Sequence, residues 1–183
     1  MDLMEALKTR RAVRDFTDEP VTATAIEGLV AAAVLAPSAM NRQPWAFAVV
    51  QGTARLRDLS EQARRHALAH VAPGSPMAGH LADHSFEIFH GAAALVIVCA
   101  AGGDRQSAED CCLAGESLML AAHAEGLGTC WIGLARPWLA EASVKAELGI
   151  SADLTPVAPI IVGHPRARPA ATPRRPPAIT WCR

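Results

Sequence analysis

The apolar run GAAALVIVCAAGG, at residues 91–103, constrains the fold more than any other segment of this chain. It contains no charged residue and gives the strongest strand signal in the sequence. A helix that crosses a membrane needs about 20 consecutive apolar residues, and this run is much shorter. We therefore expect a strand in the core of a globular protein.

Other strand patterns alternate with helical patterns along the chain. AFAVVQG, TCWIG and TPVAPIIVGHP are predicted strands, and they are separated by amphipathic stretches such as TARLRDLSEQARRHALAH. About four strands separated by helices indicate an α/β or α+β fold. We expect a single domain over residues 1–183, because no repeat or linker divides the chain. The helix predicted in residues 107–128 has apolar residues around most of its circumference, which suggests a subunit interface as well as a core position.

Capping residues and breakers predict where several of the helices begin and end. Asp2 and Glu5 have the spacing of a capping box, and so do Thr24 and Glu27. Residues 71–87 are rich in Gly, Pro and His and are expected to form an irregular excursion. Residues 137–149 are expected to form one further helix, and the basic, Pro-rich residues 166–183 an extended, docked tail.

Composition and charge exclude several classes of protein. The formal net charge is −1, so no general attraction to nucleic acid or to a membrane surface is expected. The N-terminus is charged from its second residue and lacks the apolar stretch of a secretory signal, which predicts a cytoplasmic protein. Five scattered cysteines without a CxxC motif do not indicate a disulfide framework.

Two histidine pairs raise the possibility of a metal site. His66 with His70, and His80 with His84, have the i,i+4 spacing that places both rings on one helix face. A polar surface explains them more simply, since no set of carboxylates accompanies them, and we expect no metal. Cys130 is a poor candidate for a nucleophile because it lies in an apolar run without a basic neighbour.

Three arginines within five positions, in the stretch RRAVRDF, are the most suggestive polar feature. Arg10, Arg11 and Arg14 follow a short helical pattern, so their guanidinium groups could converge on one anion such as a phosphate. A solvated basic face is the alternative. The loop PSAMNRQPW, the backbone of GTCWIG and the arginines of PRRPP add the amide, hydroxyl and charged groups that flavin mononucleotide (FMN) would need.

These motifs together resemble the nitroreductase family of FMN-dependent oxidoreductases. The resemblance covers nearly the whole chain, through RRAVRDF, APSAMNRQPWAF, FHGAAALVIVCA, EDCCLAGESLMLAAHAEGLGTCWIG, IIVGHP and PRRP in that order. It implies an α+β sandwich in which helices flank a small mixed sheet. It also implies an intertwined homodimer with two FMN sites at the subunit interface.

The resemblance further implies which residues bind FMN. Those near the N-terminus are Arg10, Arg11, Ala12 and Arg14, with Arg14 at the pyrimidine edge of the ring. Those in the loop that reaches the flavin of the partner subunit are Pro37, Ser38, Ala39 and Asn41. Those lining the ring near N5 are Trp131, Ile132 and Gly133, and those at the phosphate are Arg174 and Arg175.

The activity implied is transfer of a hydride from NAD(P)H through flavin N5 to an electron-poor acceptor by a ping-pong mechanism. Nitroaromatics and quinones are such acceptors, and no side chain is expected to act as a catalytic acid or base. Two alternatives remain, a specialised flavin enzyme of a biosynthetic pathway and a flavin-binding redox sensor without turnover. Ala12 stands where many relatives have Ser, which removes one hydroxyl donor to the phosphate. The tail beyond RRPP is only AITWCR, whereas many relatives embrace the partner with a longer tail.

Overall fold

The computed structural model describes residues 1–182, and its centre is an antiparallel sheet. The strands are β1 (Trp45–Gln51), β2 (Ala94–Ala101), β3 (Gly128–Trp131) and β4 (Leu154–Gly163), in the spatial order β1-β2-β4-β3. All pairings between these strands are antiparallel, which corrects the expectation of a mixed sheet. Parallel pairing occurs only as an isolated bridge between Ala12 and Thr129 in the described residues.

Helices cover both faces of the sheet, which confirms the α+β class. They are α1 (Leu3–Thr9), α2 (Ala23–Ala33), α3 (Thr53–His70), α4 (Pro76–Ala82), α5 (Arg105–Ala124), α6 (Arg136–Leu139) and α7 (Ala142–Glu147), with 3-10 turns at Ala39–Asn41 and Gly133–Ala135. In the described part of the chain, no helix is both long and apolar enough to cross a bilayer.

The central strand β2 divides the core into two layers. Because successive side chains of a strand point to opposite faces, Leu95 and Ile97 pack with α3, α4, α6 and α7 on one side. Val96 and Val98 pack with α2 and α5 on the other side. Strand β2 is buried almost throughout, as its uninterrupted apolar sequence predicts.

Helix boundaries follow the sequence signals in part. Asp2 caps α1 by accepting a hydrogen bond from the backbone N–H of Glu5 at 2.9 Å, as predicted. The second predicted capping box was wrong: Thr22, not Thr24, caps α2 by accepting from the N–H of Ala25. Thr22 has the extended backbone that a cap needs, whereas Thr24 lies inside the first turn.

Two predicted segments differ from the structure. The excursion at residues 71–87 contains α4, which begins after Ser75 with Pro76 in its first turn. That arrangement is a standard helix start, so the signal was present in the sequence. The single helix predicted at residues 137–149 is instead two short helices, α6 and α7.

The N-terminal segment docks against the sheet at two glycines. The N–H of Val13 donates to the carbonyl of Thr129 at 2.9 Å. A Cβ on Gly128 would lie 2.9 Å from the side chain of Val13, and one on Gly163 would lie 2.6 Å from the ring of Phe16. The absence of side chains at both glycines is therefore what lets residues 10–16 approach the sheet.

Candidate functional site

A cavity opens where the N-terminal segment meets the end of β3. Its volume is about 560 Å³ including the open mouth. Arg14, Trp131, Ile132 and Gly133 line it, so the structure brings together four residues that the sequence assigns to one site. The other lining residues are Met77, Phe86, Ile88, His90 and Leu134.

Backbone geometry and small residues position this wall of the cavity. The N–H of Ile132 donates to the carbonyl of Pro159 at 2.8 Å, which fixes the chain just after β3. Gly115 on α5 faces the Trp131 ring, and a Cβ there would make an ordinary van der Waals contact with it at 3.5 Å. The 3-10 turn Gly133–Ala135 begins at the cavity, and the first N–H groups of such a turn have no acceptor within it.

Arg10 and Arg14 both lie near the buried strand β3. Burial raises the pKa of the Cys130 thiol, while the charges of Arg14 and Arg10 act in the opposite direction. Arg10 also has a carboxylate partner that the sequence did not suggest, because its Nε lies 3.3 Å from Oε1 of Glu116 on α5. A ligand at Arg10 would therefore meet a guanidinium already held in place.

Arg11 does not converge with Arg14 in this structure. Its Nη1 donates to the carbonyls of Lys8 and Arg10 at 2.8 and 2.7 Å, and its side chain lines a different cavity. Ala12 between them makes the isolated bridge to Thr129 and is exposed. Alternation along an extended segment explains the difference, because neighbouring side chains point to opposite sides.

The loop at residues 37–41 is held at the start of α5, away from the Arg14 cavity. The buried carboxylate of Asp110 accepts a hydrogen bond from the N–H of Ala39, with a 3.2 Å distance to Oδ2. Within the loop, the Ser38 hydroxyl accepts from the N–H of Gln43 at 2.9 Å, and Asn41 accepts from the Gln43 side chain. None of the residues 37–41 lines the Arg14 cavity of the described chain.

The predicted phosphate arginines lie in the exposed tail. Arg174 and Arg175 are exposed, and the only hydrogen bond of the Arg174 side chain within the described residues goes to the carbonyl of Thr172 at 3.2 Å. Neither arginine lines the Arg14 cavity. Within this chain, the predicted site is therefore divided between the cavity, the loop at residues 37–41 and the tail.

Sequence reasoning missed His90 as a cavity residue. Its backbone has φ of 51°, in the left-handed region that non-glycine residues seldom adopt, and its ring packs edge-on against Phe86. Burial and then the charge of Arg14 lower the pKa of His90, while Glu87 acts weakly in the other direction. The only sequence signal was its place in FHG, just before the strand β2.

The two histidine pairs lie elsewhere and have protein partners. The rings of His66 and His70 stack with their centres 4.3 Å apart, and His66 lies 3.4 Å from Glu141. His84 contacts the buried Arg64 at 3.1 Å between Nδ1 and Nη2. Within residues 1–182, no group of three or more side chains is arranged to hold a metal ion.

Comparison with known proteins identifies relatives of this chain by sequence. The sequence model described as the Nitroreductase family matches residues 7–164. A Methanothermobacter thermautotrophicus protein with the provisional name NADH dehydrogenase/NAD(P)H nitroreductase is 27% identical over 172 residues, covering 92% of this chain and 80% of the relative. The 5,6-dimethylbenzimidazole synthase of Rhodospirillum rubrum is 30% identical over 185 residues, covering 90% of this chain and 83% of that enzyme.

A solved structure has nearly the same fold. The crystal structure of a nitroreductase with bound FMN from Bacteroides fragilis superimposes with a TM-score of 0.87 at 24% identity, and the match covers 100% of both chains.

Proposed function

Because this chain belongs to the nitroreductase family, we propose that it is a cytoplasmic, single-domain, FMN-dependent oxidoreductase. In this proposal it passes a hydride from NADH or NADPH to an electron-poor acceptor, such as a nitroaromatic or a quinone. The observation that carries the proposal is the shared cavity of Arg14, Trp131, Ile132 and Gly133. Its support from relatives is the FMN bound in the Bacteroides fragilis structure and the NAD(P)H nitroreductase name of the archaeal relative.

The chemical character of the cavity residues suits a flavin ring. Arg14 supplies a positive charge at one edge, and the 3-10 turn after β3 supplies backbone N–H groups at another. Gly133 lines the same cavity, and the nearest atoms to a Cβ built there are 3.9 Å away in Trp131, so the space beside it is open. A planar ring with a polar edge suits this combination of apolar walls and a few polar groups.

A second copy of the chain would complete the site. The loop at residues 37–41 and the arginines of the tail lie outside the cavity of their own subunit, so we propose that they serve the cofactor across a homodimer interface. Exposed apolar side chains support such an interface; they include Leu3, Met4 and Leu7 on α1, Leu35 just before the loop, Met40 within it, and Leu113 on α5. Ile179 and Trp181 in the tail are also exposed, as a tail that wraps a partner requires.

The roles of the chain's own residues follow from this arrangement. When bound, FMN supplies a ring that accepts a hydride at N5 and gives it up again. Arg14 would stabilise negative charge at the pyrimidine edge, and Arg10 with Arg174 and Arg175 would bind the phosphate. Met77, Phe86 and Leu134 would exclude water from the face where NAD(P)H and the acceptor bind in turn. No side chain is proposed as a catalytic acid or base.

The visible spectrum of the purified protein tests the proposal most directly. We expect flavin bands at about one FMN per subunit, bleaching of those bands by NADPH or NADH without air, and recovery on addition of a quinone. A ping-pong mechanism predicts parallel lines in double-reciprocal plots of rate against one substrate at several concentrations of the other. A colourless protein that also fails to bind added FMN would refute the proposal.

The double substitution Arg10→Ala and Arg175→Ala tests the assignment of the phosphate site. Each arginine would make a charge-assisted contact worth about 1.5–3 kcal/mol, so FMN affinity should fall at least about tenfold per arginine. The matched control is Arg55→Ala with Arg105→Ala, which removes two exposed, ion-paired arginines from other surfaces. Equal FMN affinity in the two double variants would contradict the assignment.

A biosynthetic flavin enzyme is the second candidate function. The observation that favours it is the 30% identity to the Rhodospirillum rubrum 5,6-dimethylbenzimidazole synthase. The two candidates differ in how the bound flavin is used, because the first requires rapid steady-state oxidation of NAD(P)H with simple acceptors. Bound FMN with no such turnover would favour the second candidate or a redox sensor.

A further inference from the structure

A second cavity lies between the end of α1, the end of α5 and the start of the tail. Its volume is about 340 Å³ including the open mouth. Thr9, Arg11, His123 and Arg168 are its polar lining residues, and no carboxylate lines it among the described residues. Within the described chain, no residue lines both this cavity and the Arg14 cavity, so the two are separate spaces.

The positive charges around this cavity are poorly compensated. Arg10 nearby is paired with Glu116, but within the described residues neither Arg11 nor Arg168 has a carboxylate within ion-pair distance. Burial and then the charges of Arg168, Arg10 and Arg11 lower the pKa of His123, and only a weak effect of Glu5 opposes them. Such a concentration of positive charge favours an anion.

Arg11 provides an independent observation. Its Nε is buried and has no hydrogen-bond partner in the described residues, although its Nη1 donates to two carbonyls. Nearly all buried donors in proteins are paired, so an unpaired one indicates a missing ligand or water. The same side chain lines the cavity, so the unpaired donor belongs to a guanidinium that borders it.

The hydrogen bonds of Thr9 show which ring nitrogen of His123 carries the proton when the ring is neutral. The Thr9 hydroxyl donates its single proton to the carbonyl of Glu5 at 2.6 Å, so it must accept from His123, whose Nε2 lies 2.7 Å away. Nε2 therefore carries a proton in the neutral ring, and the proton that titrates is the one on Nδ1. Protonation at Nδ1 would add a third cation to the cavity.

We propose that Arg11, Arg168 and His123, whose ring Thr9 orients, bind a phosphate or sulfate group at a site separate from the cofactor cavity. Guanidinium forks and a histidine match the oxygen atoms of such a group, which could be a free anion or part of a small phosphorylated metabolite. This site does not depend on the proposed oxidoreductase function.

Calorimetric titration with sodium sulfate, at constant ionic strength set with chloride, tests the proposal. We expect saturable binding that Arg168→Gln weakens about tenfold or more. The matched control, Arg105→Gln, removes an exposed arginine paired with Glu109 at the opposite end of α5 and should bind sulfate like the original protein. No saturable binding, or equal binding by the two variants, would overturn the proposal.

The pH dependence supplies a second, structural readout. Sulfate keeps its charge between pH 5 and 8, an ordinary histidine titrates in this range, and His123 is the only histidine among the described residues that lines the cavity. Sulfate should therefore bind more tightly as pH falls, and it should raise the pKa of His123 in NMR titrations. A His123 pKa that is the same in sulfate and in chloride would contradict a site at this ring.

Two further binding experiments distinguish an esterified phosphate from a free anion and test whether the anion site is independent of bound FMN. Tighter binding of glycerol 3-phosphate than of inorganic phosphate would indicate an esterified ligand, and the reverse order a free anion. Sulfate should bind equally to FMN-loaded and FMN-free protein. Competition between sulfate and FMN would overturn the proposal, because the cavity would then hold the cofactor's own phosphate. If the protein binds no FMN, the sulfate titrations still decide whether this site exists.

Discussion

Replacing Gly128 with Ala tests how much the close packing of the N-terminal segment on β3 contributes to stability and to FMN affinity, because it changes no charged residue. A Cβ at this position would lie 2.9 Å from Cβ, Cγ1 and Cγ2 of Val13. Carbon atoms normally approach to about 3.5–4.0 Å, so the N-terminal segment must move away from β3 by roughly 0.6–1 Å. The hydrogen bond from Val13 to Thr129 and the position of the neighbouring Arg14 would change with it.

The size of the effect follows from these contacts. Overpacking costs about 1–3 kcal/mol, and a weakened backbone hydrogen bond adds up to about 0.5–1.5 kcal/mol. Ala lowers the entropy of the unfolded chain, which returns about 0.4–1 kcal/mol. The free energy of unfolding should therefore fall by about 0.5–4 kcal/mol, and FMN affinity should fall about tenfold because Arg14 is displaced.

Gly28→Ala is the matched control. Gly28 lies in the middle of α2, has ordinary helical φ, and a Cβ there would meet no atom within 4 Å. The same chemical change should stabilise the protein by about 0.5–1 kcal/mol and leave FMN affinity unchanged. The two variants are thus expected to shift stability in opposite directions.

Urea unfolding at one fixed protein concentration measures the stability of both variants, since dimerisation would make stability depend on concentration. Flavin fluorescence titration measures the affinity for FMN. If Gly128→Ala unfolds at the same urea concentration as the original protein and binds FMN equally well, close packing of Val13 on β3 does not hold the N-terminal segment in place.

Three further predictions concern other parts of the molecule. Asp110→Ala removes the acceptor of the Ala39 N–H and should lower the free energy of unfolding by about 1–3 kcal/mol in urea titrations. The pKa of His90 is lowered in the folded protein, so the unfolded chain binds more protons at low pH. The free energy of unfolding should therefore fall as the pH drops below about 6.5. The substitution His90→Gln should reduce this loss in unfolding curves measured from pH 8 to 5. Burial raises the pKa of Cys99 to about 11 and of Cys111 to about 12, so at pH 8 a thiol reagent should label these two only after unfolding, as peptide mass spectrometry would show.

Local sequence patterns predicted the elements well where one signal dominates. The apolar run at residues 91–103 became the buried strand β2, and Asp2 capped α1 as its spacing with Glu5 indicated. The capping of α2 was misassigned because Thr22 and Thr24 are both suitable caps, and the choice depends on where the chain leaves its extended conformation. The short helix α4 was missed because Gly, Pro and His weakened its pattern, although Ser75 and Pro76 marked its start.

The sequence by itself determined the family, because the motifs and their order are local properties of the chain. The resemblance to that family predicted the α+β class and named Arg14, Trp131, Ile132 and Gly133 for one site. Only the tertiary structure decided that Arg11 lies in a different cavity from Arg14. It also decided that Arg10 is paired with Glu116, and that His90 joins the site. These facts depend on how residues 10–16 pack against β3. Side chains alternate along this extended segment, so those of Arg11 and Arg14 point to opposite sides. Gly128, more than 100 residues away in the chain, sets how closely the segment can approach the strand.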